Sequence, residues 1–334
     1  MKPGQLLRQR TPVQPPVYRN PVLDRDFPDP SVLHAPDGYY YAYATQYLCG
    51  ERAENIPGAR SKDLIHWEVL PDTLPVKPSW ASRTQDFWAP HVVADGEQYY
   101  LYFSAALDGG EGMAIGVATA KHPCGPFVDC GEPLVGGPSF EHIDPMAFDD
   151  PQTGKKLLYW GSGFRPIKVR ELAEDRLRFA GGSATHEILH PAPDTPFESL
   201  VEGAFVVFRH GYYYLFYSGD NCWDCSSYAV MVARSSNAFG PFEKWADITG
   251  NVDSAIIRWS DHWHAPGQNA IVTDWAGTDW LVYHAVDPQL PFNPGTNVWR
   301  RPMLMDKVCY VDGWPHVEGG CPSAQAQEGP VSHH

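Results

Sequence analysis

Five aromatic-rich segments recur along the chain, and this repeat limits the folds open to it. "PDGYYYAYATQ" starts at Pro36, "DGEQYYLYFSAA" at Asp95, "GKKLLYWGSG" at Gly154, "HGYYYLFYSGD" at His210 and "GTDWLVYHAVD" at Gly277. Each is a turn containing glycine, then an aromatic strand, then small or polar residues. The spacing is roughly 55 to 65 residues, a period typical of stacked structural units. A β-branched segment precedes each one: "DPSVL", "APHVVA", "DPMAF", "EGAFVVF" and "GQNAIVT". Segments such as "GARSKDLIHWEVL", "IGVATAKHPCGPFVDCG" and "VMVARSSNAFGPFEKW" follow three of them and read as two further strands. Each unit therefore holds about four strands.

Four short antiparallel strands cannot bury both of their faces alone. Stacking such units around an axis buries the faces and protects the edges. A β-sandwich or β-helix would not give four elements at so even an interval. The expected fold is all-β: a five-bladed β-propeller with four-stranded antiparallel blades, forming a single domain over residues 20–318. Residues 1–19 read as an N-terminal extension and 319–334 as a C-terminal tail. The 32 prolines and 30 glycines, spread along the whole chain, fit many short strands joined by turns.

A formal net charge of −15 argues against nucleic acid or an anionic membrane as partner, since both call for a basic surface. No run approaches the ~18 apolar residues of a membrane span. The opening "MKPGQLLRQRTPVQPP" is polar and proline-rich, unlike a secretory signal. The expectation is a soluble protein, either cytoplasmic or secreted with its signal removed. Cys222 and Cys225 form a lone CxxC without a second pair or a suitably spaced histidine, which argues against zinc. Cys124 and Cys130 are close enough in sequence to pair.

In a propeller, the residues just before each inner strand crowd one mouth of the central channel. Those positions hold Asp29 in the first unit, Trp88 to His91 in the second, Asp144 in the third, Glu202 in the fourth and His264 to Gln268 in the fifth. Three carboxylates thus converge, although like charges raise one another's pKa and cost stability. Pro28 and Pro30 restrict the backbone on both sides of Asp29, as an aimed side chain requires. Two carboxyl groups flanking an acetal oxygen are the equipment of glycoside hydrolysis: one protonates the departing oxygen, the other activates water or attacks. Carboxylates facing each other across a channel leave room for a water, which favours inversion. Asp144, on the blade next to that of Glu202, is placed to raise the acid's pKa. Phe27 and Trp88 offer flat apolar faces for a sugar ring.

The motifs "NPVLDRDFPDPSVL", "DFWAPHVV", "HIDPMAFDD", "VEGAFVVFRHGYYYLFYSG" and "RRPMLMDKVCYVDGWPHV", in this order and spacing, resemble glycoside hydrolase family 43 over residues 20–318. That group holds arabinanases, arabinofuranosidases and β-xylosidases. The resemblance implies Asp29 as general base, Glu202 as general acid and Asp144 as the modulator of the acid. It implies that Arg301, or its neighbour Arg300, enters the pocket. Trp88 and His91 between the acids, and Trp223 in the insert "SGDNCWDCSSY", are further candidate sugar contacts. Many members carry a histidine in a "GPGHN"-like segment near a calcium or water site. Here "HAPGQNA" puts Gln268 there, a weaker ligand, which places a structural calcium in doubt; His264 is a nearby substitute. His284 is expected to pack within its blade. No cofactor is required. The expected activity is release of a terminal pentose, α-L-arabinofuranose foremost, from a plant-type saccharide. A β-xylosidase or β-galactofuranosidase is the alternative within the family, and a non-catalytic carbohydrate-binding propeller the alternative outside it.

Overall fold

The computed structural model describes residues 15–49, 52–220 and 228–332. Its strands form five antiparallel sheets of the expected kind. The first blade comprises Ser31–His34, Tyr40–Tyr43, Gly58–Ser61 and Trp67–Val69. The second comprises Phe87–Asp95, Gln98–Ala106, Met113–Ala120 and Val128–Asp129, with Val135–Gly137 added beside its third strand. The third comprises Met146–Asp149, Lys156–Trp160, Ile167–Glu171 and His186–Leu189. The fourth comprises Val201–Arg209, Tyr212–Gly219, Ala229–Ser235 and Glu243–Lys244, with Ala255–Ile257 added. The fifth comprises His264–Thr273, Asp279–Val286, Met303–Val311 and Trp314–Val317. The first strands of the blades touch one another in circular order, the fifth meeting the first, so the sheets close into a five-bladed propeller.

The second strands are largely apolar because neighbours cover both of their faces. Tyr40 to Tyr43 are all buried, as is every residue of Asp279–Val286. The period-2 alternation of a half-exposed strand is lost there, and a continuous aromatic run replaces it. The fourth strands lie outermost, and the first blade's ends in exposed residues. Tyrosines at one point of the second strands also tie the first three blades each to the next. Tyr43 donates its hydroxyl to the Pro123 carbonyl, Tyr102 to that of Arg176 and Tyr159 to that of Ala238. Each acceptor lies between the third and fourth strands of the following blade, so a large aromatic is buried with its polar end satisfied.

Both flanking segments join the propeller more closely than expected. Val17–Tyr18 pairs with Gln327–Glu328. Asn20 donates to the Met305 carbonyl and accepts from the Met305 N–H, at 3.1 and 2.9 Å. These bonds latch the start of the chain to the third strand of the fifth blade. Cys124 and Cys130 are unpaired. The pair Cys222 and Cys225 lies outside the described residues. Among the described residues, no helix is long and apolar enough to cross a membrane.

Candidate active site

On or just before each inner strand, a residue in the left-handed region stands at the same structural point: Asp29 (φ 54°), Ala89 (44°), Asp144 (59°), Gly203 (63°) and Gln268 (44°); the fifth strand has a second one at Ala265 (45°). In every blade, the residue three positions on pairs with the middle of the second strand: Val32 with Ala42, Val92 with Leu101, Ala147 with Leu158, Val206 with Leu215 and Ile271 with Leu281. A left-handed residue reverses the pleat locally and re-aims its side chain. For residues other than glycine it costs about 1–2 kcal/mol each. Such strain, repeated around one mouth, is what a functional site accumulates.

A cavity of ≈ 1130 Å³ opens at that mouth, and Asp29, Asp144, Glu202, Trp88, Tyr228 and Arg301 line it. A second cavity of ≈ 1000 Å³, under the C-terminal segment, has none of these acids. The Asp29 carboxylate accepts from the Thr45 hydroxyl at 2.5 Å and faces Arg301 Nη1 at 3.4 Å. Its backbone N–H donates to His284 Nδ1 at 3.1 Å. His284 is fully buried, and its ring stacks on that of Tyr228. Burial alone would raise Asp29, but Arg301, His284 and Thr45 outweigh it and hold the carboxyl well below its usual range.

The other two acids respond in the opposite direction. Burial pushes Glu202 up, against hydrogen bonds from Ser162 to Oε2 and from Tyr228 to Oε1, each 2.8 Å; the charge of Asp29 adds to the rise. Burial pushes Asp144 well up, helped by the charges of Glu202 and Asp29, although it accepts the Gly203 N–H at 2.9 Å. Two acids this close and this buried cannot both ionise cheaply, so the pair retains a proton beside an ionised Asp29. The arrangement supplies a base and a proton donor on one cavity.

Local chain features set these positions. An alanine at Gly267 would put its Cβ 1.8 Å from the Tyr228 ring, so only glycine lets Tyr228 lie against the fifth blade and reach Glu202. A Cβ on Gly203 would come to 3.3 Å of the Gln268 side chain, which itself supports Asp144. Asp26 fixes the Arg301 segment by accepting its N–H and the Asn293 amide, both at 2.9 Å. Arg300 turns away to pair with Asp24.

Several expected contacts fall elsewhere. Phe27 is not a sugar platform: it is fully buried among Leu23, Tyr40 and Met303, because the chain turns only at Asp29 and the residues before it still pack between the first and fifth blades. His91 does not line the cavity either. Two residues beyond the left-handed Ala89, it sits deeper in the channel and accepts the Ala147 N–H at 3.3 Å. Burial pushes it down to about 4, so it is neutral there. Trp88 does line the cavity, its ring stacked on Phe140 at 6.1 Å. Trp223 lies outside the described residues.

The narrow channel beneath is lined by Asp29, His91, Asp144, Gln268 and Asn269. Asp29 and Asp144 there are already engaged by protein donors, and Asn269 has both ends of its amide buried without a hydrogen-bond partner among the described residues, so the oxygens open to a cation such as calcium are the uncharged amide oxygens of Gln268 and Asn269. Among the described residues no cluster of His, Cys, Asp or Glu is arranged to hold a metal ion. His264 packs edge-on against Trp259 and is absent from the channel wall.

Thr45, Ser162, Tyr228 and Asp26 also hold the site together without standing out in the sequence, and His284 does more than pack within its blade. Thr45 and His284 carried a signal, since both close an aromatic strand at equivalent points of the repeat. Tyr228 carried none.

The chain matches the family model for glycosyl hydrolases family 43 over residues 18–315. It is 27% identical to the extracellular exo-α-(1→5)-L-arabinofuranosidase ArbA of Cellvibrio japonicus, over 77% of this chain and 79% of that protein. It is 31% identical to the β-D-galactofuranosidase xynD of Aspergillus niger, over 79% and 75%. A solved structure of a thermostable family-43 glycoside hydrolase superposes with a TM-score of 0.77 at 27% identity, covering 95% of this chain and 100% of the other. The residues, the propeller and these likenesses agree: this chain belongs to the family 43 glycosyl hydrolases.

Proposed function

We propose that this protein is an inverting, exo-acting glycoside hydrolase that releases a terminal pentofuranose, α-L-arabinofuranose foremost. One observation carries the reading: the carboxyl groups of Asp29, Asp144 and Glu202 line a single cavity from three different blades, with the Arg301 guanidinium beside Asp29 alone. Asp29 takes a proton from water as that water attacks the anomeric carbon. The glycosidic bond breaks, and Glu202 delivers its proton to the departing oxygen. Burial and the charge of Asp29 raise Glu202, Asp144 shares the retained proton with it, and Arg301 keeps Asp29 ionised until it accepts the water's proton. Trp88 gives the sugar an apolar face.

The ArbA likeness supports arabinofuranose and exo action, and the binding site is a cavity at one mouth of the channel. The xynD likeness supports a second reading, β-galactofuranoside, whose longer exocyclic group the ≈ 1130 Å³ cavity can hold. The test is turnover of nitrophenyl arabinofuranoside, galactofuranoside and xyloside, with linear arabinan beside them and NMR to identify the first anomer formed. Arabinose released singly from the start, in the inverted configuration, is the expected result. No release from any glycoside would overturn the enzyme reading. Glu202→Gln separates catalysis from a carbohydrate-binding role: turnover falls while binding persists if the acid is catalytic.

A further inference from the structure

The five left-handed residues present five backbone N–H groups to the inside of the ring, and the structure caps each one from the preceding blade. Ala89 donates to Thr45 Oγ1 at 2.8 Å, Asp144 to Ser104 Oγ at 3.0 Å, Gln268 to Ser218 Oγ at 2.8 Å and Asp29 to His284 Nδ1 at 3.1 Å. Thr45, Ser104, Ser218 and His284 occupy one repeated position, three residues beyond the second-strand partner of each inner strand. In the third blade that position is Gly161, which has no side chain to offer. The N–H it would have capped, that of Gly203, goes to Asp144 Oδ2 instead.

We propose that this ring of interblade caps positions the reacting carboxylates, with Thr45 and His284 as positioning residues for Asp29 and the bare Gly161 as the gap that turns Asp144 toward Glu202. Thr45 spends both functions of its hydroxyl at once: it accepts from Ala89 on the second blade and donates to Asp29 on the first. The carboxylate is therefore fixed to the blade boundary by an oriented donor. His284 holds the same residue by its backbone from the fifth blade. His284 Nδ1 lies 3.1 Å from that backbone nitrogen and 3.2 Å from Asp29 Oδ1, so one buried ring touches both the main chain and the carboxylate of the base. Asp29 is thus gripped from both sides. A water-activating base needs such restraint, because misplacement by about 1 Å can cost about 10²-fold in rate.

The inference rests on Asp29 acting as the base, so wild-type turnover of nitrophenyl arabinofuranoside and galactofuranoside is measured first. Thr45→Val is isosteric but lacks the hydroxyl; Thr45→Ser restores it. Thr45→Val is expected to lower kcat about 10- to 100-fold with KM within about threefold, and Thr45→Ser to recover most of the loss. A valine variant within about threefold of wild type in kcat overturns the proposal, as does a loss confined to KM or a serine variant as impaired as the valine one. If Thr45→Val does not fold, His284→Asn and His284→Leu decide: the amide oxygen of asparagine can stand where Nδ1 stands, so the asparagine variant should retain kcat and the leucine variant lose it, and equal kcat in the two overturns the proposal. No turnover by the wild type defeats the hydrolase reading and this inference with it. An active wild type with unimpaired variants defeats this inference alone.

Discussion

At the scale of single residues, three acids of similar chemistry are driven apart by what surrounds each one. Asp29 has a guanidinium and a hydroxyl, while Asp144 and Glu202 have burial and each other. Replacing Glu202 with alanine should cost about 10²–10⁴-fold on a natural linkage and far less on a nitrophenyl glycoside, whose leaving group departs without help. Steady-state rates on the two substrate types check this, and equal losses would contradict an acid role. Asp144 carries a prediction about stability. Its folded pKa is raised, so relative to an uncharged side chain it is harmless below the unfolded value near 3.8 and penalising as pH rises toward the folded value. Asp144→Asn should therefore be as stable as wild type near pH 3.5. It should gain on wild type by up to about 1.4 kcal/mol per pH unit above that, while losing activity. Denaturant unfolding across that pH range reads the difference, and a gap that does not open with pH would count against the assignment. Asp29, Asp144 and Glu202 were legible in the sequence because the repeat set them at equivalent points. Phe27 was misread because an aromatic next to an acid looks the same whether it faces a ligand or the space between two blades.

At the scale of elements, the site depends on a left-handed residue repeated at one point of all five inner segments, with the register slipping in the second, fourth and fifth. The repeat was visible in the sequence through its aromatic second strands. The left-handed turn was not, because Asp29, Ala89, Asp144, Gly203 and Gln268 share no residue type and a left-handed φ follows from packing as much as from propensity. His91 was misassigned for this reason: where a strand bulges, counting two residues along it no longer returns to the same face. The fifth inner strand offers a direct test. Gly267→Ala drives a methyl group into the Tyr228 ring. It should destabilise the fold by about 1–3 kcal/mol and lower kcat by releasing Glu202 from Tyr228. Thermal melting and kinetics on one preparation check both effects; an unchanged kcat would show that the Tyr228 contact is dispensable.

At the scale of the whole molecule, closure of the ring falls to the segment before the first blade. Asn20 bonds both main-chain groups of Met305, and Tyr18 donates to the same carbonyl at 2.9 Å. Asn20→Ala takes the acceptor from the Met305 N–H, while Tyr18 keeps the carbonyl, and should lower stability by about 1–3 kcal/mol while leaving kcat at 25 °C unchanged, as the cavity lies elsewhere. Calorimetry beside a rate assay separates the two; a fall in kcat matching the fall in melting temperature would mean the latch reaches the site. This role was not legible, because a polar, proline-rich opening carries no periodicity to reveal which edge it will meet. The pairing of Val17–Tyr18 with Gln327–Glu328 also leaves residues 16 and 329 in contact, joined by the Gly329 N–H and the Pro16 carbonyl. A circular permutant spliced there and reopened at an exposed hairpin, such as the one at Gly277, should thus fold to the same propeller, and two fusion partners attached at residues 16 and 329 would emerge side by side rather than at opposite poles.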